Sequence, residues 1–377
     1  MVQLNGVGGD ALAAVSRFLL RSEAIASSQI EGLSPSPKQV ALAELGHHEP
    51  VRGISTQAAL VANNMTVVRE ATTQLVEVGR VSVEDIVQLH RALLPDEPGL
   101  HGLRGRQNWI GGSSRHPMEA AFVPPAPERV PDLMTDLVSY LNGSAHGPLV
   151  QAAMVHAQFE TIHPFADGNG RVGRALVHTV LTRRGVTTTA VLPISLVLAT
   201  LSESYVAGLT GYRHGQGPTD EMARHGIGRW LETFITAASV AVEQSKQLVH
   251  RIDDLRAEWT ERVAACRASQ GMRPQPRAGS ATSRILASLP EAPVLTASTV
   301  RRILEVSAPT AGDALEELRQ AEVLTTRKIE RNAAAYIADE VLDLITTTER
   351  RLASTRFDTR LAAPSRPVPA RPADDGR

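Results

Sequence analysis

Residues 163–174 read His-Pro-Phe-Ala-Asp-Gly-Asn-Gly-Arg-Val-Gly-Arg. This short stretch holds an imidazole, a carboxylate, a glycine-flanked turn and two guanidinium groups. Pro164 stops whatever helix precedes it, because proline clashes with and restricts the turn before it. His163 therefore stands at a helix-to-loop junction, where its ring can project into a cleft. The next helix is expected from about Asn169. Its first N–H groups have no partner inside the helix, and Gly168 and Gly170 let an anion approach the backbone closely. Arg171 and Arg174 fall on one helical face, and Val172, Ala175, Leu176 and Val180 on the other. The arginines should then point at the anion while the apolar side is buried. Asp167 is placed to hold Mg²⁺ against phosphate oxygens, and His163 to take a proton from a hydroxyl attacking the α-phosphate. Positioning and charge neutralisation would carry most of the rate. Taken singly, each residue reads better as a helix cap or a solvated charge. The joint spacing is what points to a nucleotide polyphosphate.

The elements around the motif read as mainly helical. Helical spacing is present over about 10–30 (Leu12, Val15, Phe18, Leu19, Ile25), 38–46, 55–79, 82–94, 127–142, 149–161, 169–184, 193–207 and 220–257. Residues 95–125 carry many Gly and Pro and no helical period. There Arg106–Ile110, Gly111-Gly112 and Ala121–Val123 suggest a short β-hairpin. Residues 258–280 are expected to be a linker, Pro- and Gly-rich from 268. A compact unit follows at 281–345: a short helix over 281–289, then a helix opened by Thr296. Ser307-Ala-Pro309 is expected as a turn, with a third helix over 311–321. Val323–Lys328 and Ala334–Ile337 then read as two strands about a polar turn at Glu330-Arg-Asn332. From 346 the chain is a tail, and from 353 its composition predicts disorder. No internal repeat is visible.

Bulk properties exclude several classes. The 377 residues allow two or three domains. A formal net charge of −1 gives no general pull toward nucleic acid or anionic membrane. The single cysteine, Cys266, precludes an intrachain disulfide and fits a reducing compartment. The N-terminus lacks the pattern of a signal peptide. The longest apolar run, 190–201, falls short of the roughly 20 residues a membrane span needs. A cytoplasmic protein is expected. His90, His101, His178 and His225 lack metal-ligand spacing and are expected to be structural or solvent-facing.

The string at 163–174 resembles the signature of Fic proteins, His-Pro-Phe-x-Asp/Glu-Gly-Asn-Gly-Arg-x-x-Arg, without departure. His156-Ala-Gln-Phe-Glu-Thr-Ile162 is also similar to family sequence, and the likeness extends over roughly residues 20–210. It implies transfer of AMP from ATP, with Mg²⁺, to a Ser, Thr or Tyr hydroxyl of a target protein. His163 would be the general base, Asp167 the Mg²⁺ ligand, Gly168, Asn169 and Gly170 the anion hole, and Arg171 and Arg174 phosphate contacts. Segment 99–123 is similar to the family's flap, which docks the target by strand addition. Trp109 and Ile110 would clamp there, or Trp109 simply packs under a loop. Tyr205 stands where relatives carry a Tyr near the nucleotide base, and a structural aromatic fits equally. Ser27-Ser-Gln-Ile-Glu31-Gly32 resembles the family's inhibitory motif, Ser/Thr-x-x-x-Glu-Gly/Asn. A carboxylate at a helix C-terminus is disfavoured by the helix dipole and needs a partner. The resemblance makes that partner Arg174 and makes Glu31 a brake that keeps the γ-phosphate from seating. Some relatives with this Glu also remove AMP.

The expected architecture is thus an N-terminal helical region over 1–85 and a Fic core with supporting helices over 86–257. The linker and a unit at 281–345 resembling a winged helix-turn-helix complete it. That unit's central helix bears Asp313, Glu316 and Glu317 against Arg319, which suits DNA poorly, although Thr310, Gln320, Arg327, Lys328 and Arg331 could still contact it. DNA and protein both remain open as its partner, as does a homodimer of the whole chain. The rival reading is a DNA-binding regulator whose Fic core senses a nucleotide.

Overall fold

The computed structural model describes residues 15–112, 116–188, 190–213, 220–331 and 333–355. Leu12, Asn332 and the tail beyond 355 lie outside the described residues.

The first helix, α1 (Ser16–Ile30), ends at Glu31, and Gly32 then turns with φ 81°. Gly32 N–H bonds Gln29 O and Leu33 N–H bonds Ser28 O. This left-handed glycine stop satisfies orphan carbonyls and fixes Glu31 at the helix end. Next come α2 (Pro37–Gly46), α3 (Thr56–Thr72), α4 (Gln74–Glu77) and α5 (Val83–Leu93). Ser36 and Ser82 begin α2 and α5 with capping boxes, as S/T-x-x-Q/D patterns should. The expected 55–79 helix is interrupted at Thr73, where ψ departs to −75°. The core continues through α6 (Val130–Asn142), α7 (Pro148–Ile162) and α8 (Asn169–Arg183). The run expected as one helix over 193–207 is two, α9 (Ile194–Thr200) and α10 (Ser202–Tyr212), bent by 97°.

A 49-residue helix, α11 (Glu221–Ser269), follows. At 1.5 Å per residue it is roughly 70 Å long. It overturns the expected linker from 258: Trp259 and Val263, four apart, are buried and keep the chain helical to Ser269. Beyond it stand α12 (Ala281–Ser288), β1 (Val294–Leu295), α13 (Ala297–Leu304), α14 (Ala308–Gln320), β2 (Thr325–Glu330), β3 (Ala333–Ile337) and α15 (Asp339–Thr355). The strands form an antiparallel sheet in the order β1-β3-β2. Thr296 caps α13 as expected. Ser307 and Pro309 are a correction: Ser307 caps α14 and Pro309 sits in its first turn, where a missing N–H costs nothing. Residues 346–355, expected as tail, belong to α15.

Two apolar cores organise the chain. One surrounds α8, with Leu89, Val155, Phe159, Phe165, Leu176 and Trp230. The other joins Phe18, Leu19 and Ile25 of α1 to Leu248 and Trp259 of α11 and to Ile285, Leu295, Leu315 and Ile345 of the C-terminal unit. Helix α1 is thus wedged between the motif-bearing helices and the C-terminal unit. Each fully buried large side chain there contributes about 1.5–3 kcal/mol.

Candidate active site

Pro164 ends α7 as expected, and His163 closes it in the left-handed region, φ 51°, its N–H bonded to Phe159 O at 2.8 Å. For a non-glycine residue that conformation is strained and needs outside support. Arg104 supplies it: Nε donates to His163 O at 2.9 Å, and its backbone N–H to Pro164 O at 2.9 Å. The following loop is pinned by Asn169. Phe165 N–H donates to Asn169 Oδ1 at 2.8 Å, and Asn169 Nδ2 donates to Phe165 O at 2.9 Å. Phe165 stacks on His90 at 3.9 Å between ring centroids, and His90 Nε2 donates to Asp167 O at 3.0 Å. His90 is therefore structural, as its spacing implied.

Gly168, at φ 78°, opens α8. A Cβ there would lie 2.7 Å from Leu93, so both the backbone angle and the space demand glycine. Gly170 leaves room for something else: a Cβ on it would meet Glu31 Oε1 at 1.9 Å. The Glu31 carboxylate thus rests against the N-terminal turn of α8, where an anion is favoured. The dipole of α8 offsets the unfavourable dipole of α1.

Arg174 is fully engaged. Its Nε donates to Ser27 Oγ at 2.9 Å, and Nη2 donates to Ser27 O at 2.6 Å and Glu31 Oε1 at 2.8 Å. Its Nη1 lies 3.4 Å from the Tyr205 hydroxyl. Burial works to raise the Glu31 carboxyl, but the charge and hydrogen bond of Arg174, with Arg171 and His163, carry it below its ordinary value. Arg171 differs. It is 3% exposed and lies 3.6 Å from Asp167, yet its Nε and Nη1 are buried without a hydrogen-bond partner. Both arginines share the face expected to meet the anion. They are buried because α1 covers that end of α8. Unpaired buried donors are costly, and a polyphosphate is the kind of ligand that would satisfy them.

Burial, then Arg213 and Arg104, push the His163 imidazole down to about 4, so it is neutral at pH 7. Asp167 is 60% exposed in its side chain, and its Oδ1 accepts from Gly168 N–H at 2.6 Å. Among the described residues no three His, Cys, Asp or Glu gather as a metal cluster. A single exposed carboxylate suits Mg²⁺, which keeps waters and takes the rest of its shell from phosphate.

The flap is slighter than the expected hairpin. Among the described residues its ladder is one bridge, Ile110 to Phe122. Gly111 and Gly112 turn away at φ 76° and 71°, and Pro117–Glu119 forms a 3₁₀ turn. Trp109 and Ile110 are partly buried, and Met118 and Val123 are exposed. Tyr205 is buried, its hydroxyl 2.8 Å from His156 Nε2 and under Arg174. Tyr205 therefore meets the site through Arg174.

Several site residues escaped the sequence reading. Asn108 Nδ2 lies 2.9 Å from His163 Nδ1. The Arg213 guanidinium sits 4.4 Å over the Phe122 ring and donates to Glu160 O at 3.2 Å. Glu160 is buried, and burial with the Glu31 charge raises its carboxyl to about 7. Glu160 stood within a quoted stretch without a role, and Asn108 and Arg213 had no spacing to betray them.

Residues 80–181 match the model of the Fic/DOC family. The protein adenylyltransferase fic-1 of Caenorhabditis briggsae is 33% identical over 134 residues, which are 34% of this chain and 23% of that protein. The protein adenylyltransferase Fic of Aedes aegypti is 36% identical over 110 residues, 28% of this chain and 20% of that one. The chain therefore spans about a quarter or less of the curated relatives' length. A Fic family protein from Desulfovibrio desulfuricans G20 shares the fold, with a TM-score of 0.50 and 22% identity, over 85% of this chain and 87% of that one. Residues 80–181 of this chain, with His163–Arg174 near their C-terminal end, are thus similar to the Fic/DOC family.

Proposed function

We propose that the protein is a nucleotidyltransferase that moves AMP from ATP to a Ser, Thr or Tyr hydroxyl of a target protein and is held back by Glu31. The observation that carries this is the pair of arginines on α8. Arg171 keeps two buried donors without partners, while Arg174 spends its own on Ser27 and Glu31. One guanidinium waits for phosphate oxygens and the other is blocked by a carboxylate standing where an anion would sit.

In this reading Gly168, Asn169 and Gly170 present the N-terminus of α8 to the phosphates. His163, neutral at pH 7, accepts the target's hydroxyl proton. Asp167 would hold Mg²⁺, which when bound neutralises phosphate charge. With Glu31 paired to Arg174, ATP seats unproductively. The flap, with exposed Met118 and Val123, offers an apolar edge for an extended target segment. We read the C-terminal unit as a winged helix-turn-helix. One side of its central helix α14 packs inward, Glu317 pairing with Arg267 and Gln320 accepting from Gln270 at 3.1 Å, while on its exposed side Arg319 is paired with Glu316 beside Asp313. This supports a role within the protein or toward another protein over DNA.

ATP labelled separately at its α- and γ-phosphates tests the reaction. Label from the α-phosphate alone should enter protein in the Glu31→Gly variant. Transfer of γ-label would mean a kinase and would end this reading.

A further inference from the structure

The transferase reading requires a lone pair on the His163 nitrogen that meets the hydroxyl. The surroundings of the other nitrogen, Nδ1, decide whether it has one. Nδ1 lies 2.9 Å from Asn108 Nδ2 and 3.2 Å from Asn169 Nδ2. The orientation of Asn169 is fixed independently, because Phe165 N–H donates to its Oδ1 and only its NH₂ can then face Phe165 O. Asn108 is fixed by the same logic. Its Nδ2 lies 3.0 Å from Phe165 O, and a carbonyl there would oppose another carbonyl. Two N–H groups thus point at Nδ1, which must be the accepting nitrogen. A neutral imidazole carries one proton, so it rests on Nε2. No described residue hydrogen-bonds Nε2, the nitrogen left to meet substrate. In this state His163 offers a substrate hydroxyl a donor where the reaction needs an acceptor. Asn108 Oδ1, meanwhile, is buried without a partner.

We infer that Asn108 is a positioning residue that switches His163 between a resting and a base-competent tautomer when a target docks on the flap; this rests on the transferase reading. Turning the Asn108 amide brings its idle Oδ1 against Nδ1, and Asn169 Nδ2 gives up its longer 3.2 Å contact with Nδ1 while keeping its bond to Phe165 O. The imidazole gives its Nε2 proton to water and takes one from water at Nδ1, so the ring stays neutral. The target's hydroxyl proton then passes to Nε2 as its oxygen bonds the α-phosphorus. The bond from that phosphorus to the β-phosphate oxygen breaks, and pyrophosphate leaves. Asn108 Oδ1 accepts from Nδ1–H of the imidazolium, which afterwards loses the Nε2 proton to solvent. The turn is opposed by Phe165 O, so Asn108 must move off that carbonyl. Asn108 lies two residues before Ile110, which forms the flap bridge to Phe122. A strand laid on the flap is well placed to supply that movement. Until it arrives, water meets no base, and bound ATP is protected from hydrolysis.

The test is ¹⁵N NMR of the full chain with labelled histidine at pH 7, the His163 signals being those lost in His163→Ala. The resting wild type should show a pyridine-type Nδ1 and a pyrrole-type Nε2. In Asn108→Asp, whose carboxylate can only accept, the two should exchange. A pyrrole-type Nδ1 in the resting wild type, or no exchange in Asn108→Asp, would overturn the inference. In the Glu31→Gly background, Asn108→Ala should lower kcat by about 10² with KM for ATP unchanged. Asn108→Asp should restore the rate. Equal loss in both variants, with KM rising alongside, would reduce Asn108 to a structural role and sink the switch. Absence of AMP transfer in every variant would overturn the transferase reading, and the switching role with it, even if the tautomers are as inferred.

Discussion

Arg171 and Arg174 stand three residues apart on one helix and have opposite circumstances, and that contrast yields residue-scale predictions. Arg171→Ala removes a guanidinium whose buried donors are idle, so it should spare the fold and weaken ATP binding. One charged hydrogen bond is worth about 1.5–3 kcal/mol, which is roughly a ten- to hundredfold rise in Kd, readable by calorimetry in the Glu31→Gly background. The Glu31 carboxyl is lowered by Arg174 despite burial. Its pairing is therefore complete above the ordinary carboxylate value and is lost only as pH falls through the lowered one, so the brake should hold across neutral pH. His163 is held down to about 4, and a base must be neutral to act. The Glu31 charge itself holds this ring's value up, so transfer by Glu31→Gly should persist through pH 6 and fall only at or below about pH 4. A fall centred on the free imidazole value of 6.5 would show that the ring is not desolvated. The motif and Glu31 were legible in the sequence because both are contiguous strings. Asn108, Arg104 and Arg213 were not, since each reaches His163 or its neighbours from a distant segment and its residue type is ordinary for a loop.

At the scale of elements, α1 decides whether Glu31 stays in place. Its Glu23 is buried and accepts from His178 Nε2 at 2.8 Å, Ser195 N–H at 2.8 Å and Ser195 Oγ at 2.5 Å. Gln29 Nε2 donates to Glu349 of α15 at 3.2 Å, and Arg21 pairs with Glu44 at 2.9 Å. Glu23→Ala strips a buried network of its only carboxylate, leaves Ser195 N–H and His178 Nε2 without their acceptor, and should cost about 1–3 kcal/mol for each buried donor so orphaned. It should also free the end of α1, raising AMP transfer while Glu31 itself is intact. Denaturant melts and transfer assays on the same variant check both, and unchanged transfer would show that Glu31 is held without this anchor. Helix identity was readable from apolar periodicity, but boundaries were not. The bend between α9 and α10 has no Gly or Pro at Leu201 to announce it. The extension of α11 to Ser269 depends on Trp259 and Val263 finding partners in a unit the sequence showed only as separate.

The whole molecule is more tightly joined than composition suggested. Phe18, Leu19 and Ile25 of α1 share one core with Trp259, Ile285 and Leu315. The C-terminal unit is therefore continuous with the helix that bears Glu31. Leu315→Ala in this unit should cost about 2–5 kcal/mol. Calorimetry should show one cooperative transition moved to lower temperature, with no early melting of the unit by itself. The sequence reads as a separate unit over 281–345 and hides the shared core, because that core pairs residues more than 200 positions apart.

The central claim is a transferase restrained by its own Glu31. It is tested most directly by intact mass after incubation with ATP and Mg²⁺, on wild type, Glu31→Gly and Glu31→Gly with His163→Ala. AMP units should accumulate in Glu31→Gly far beyond wild type, on the protein itself or an added target extract, and vanish in the double variant. Equal gain in wild type and Glu31→Gly would contradict the brake, and gain that survives His163→Ala would contradict the base.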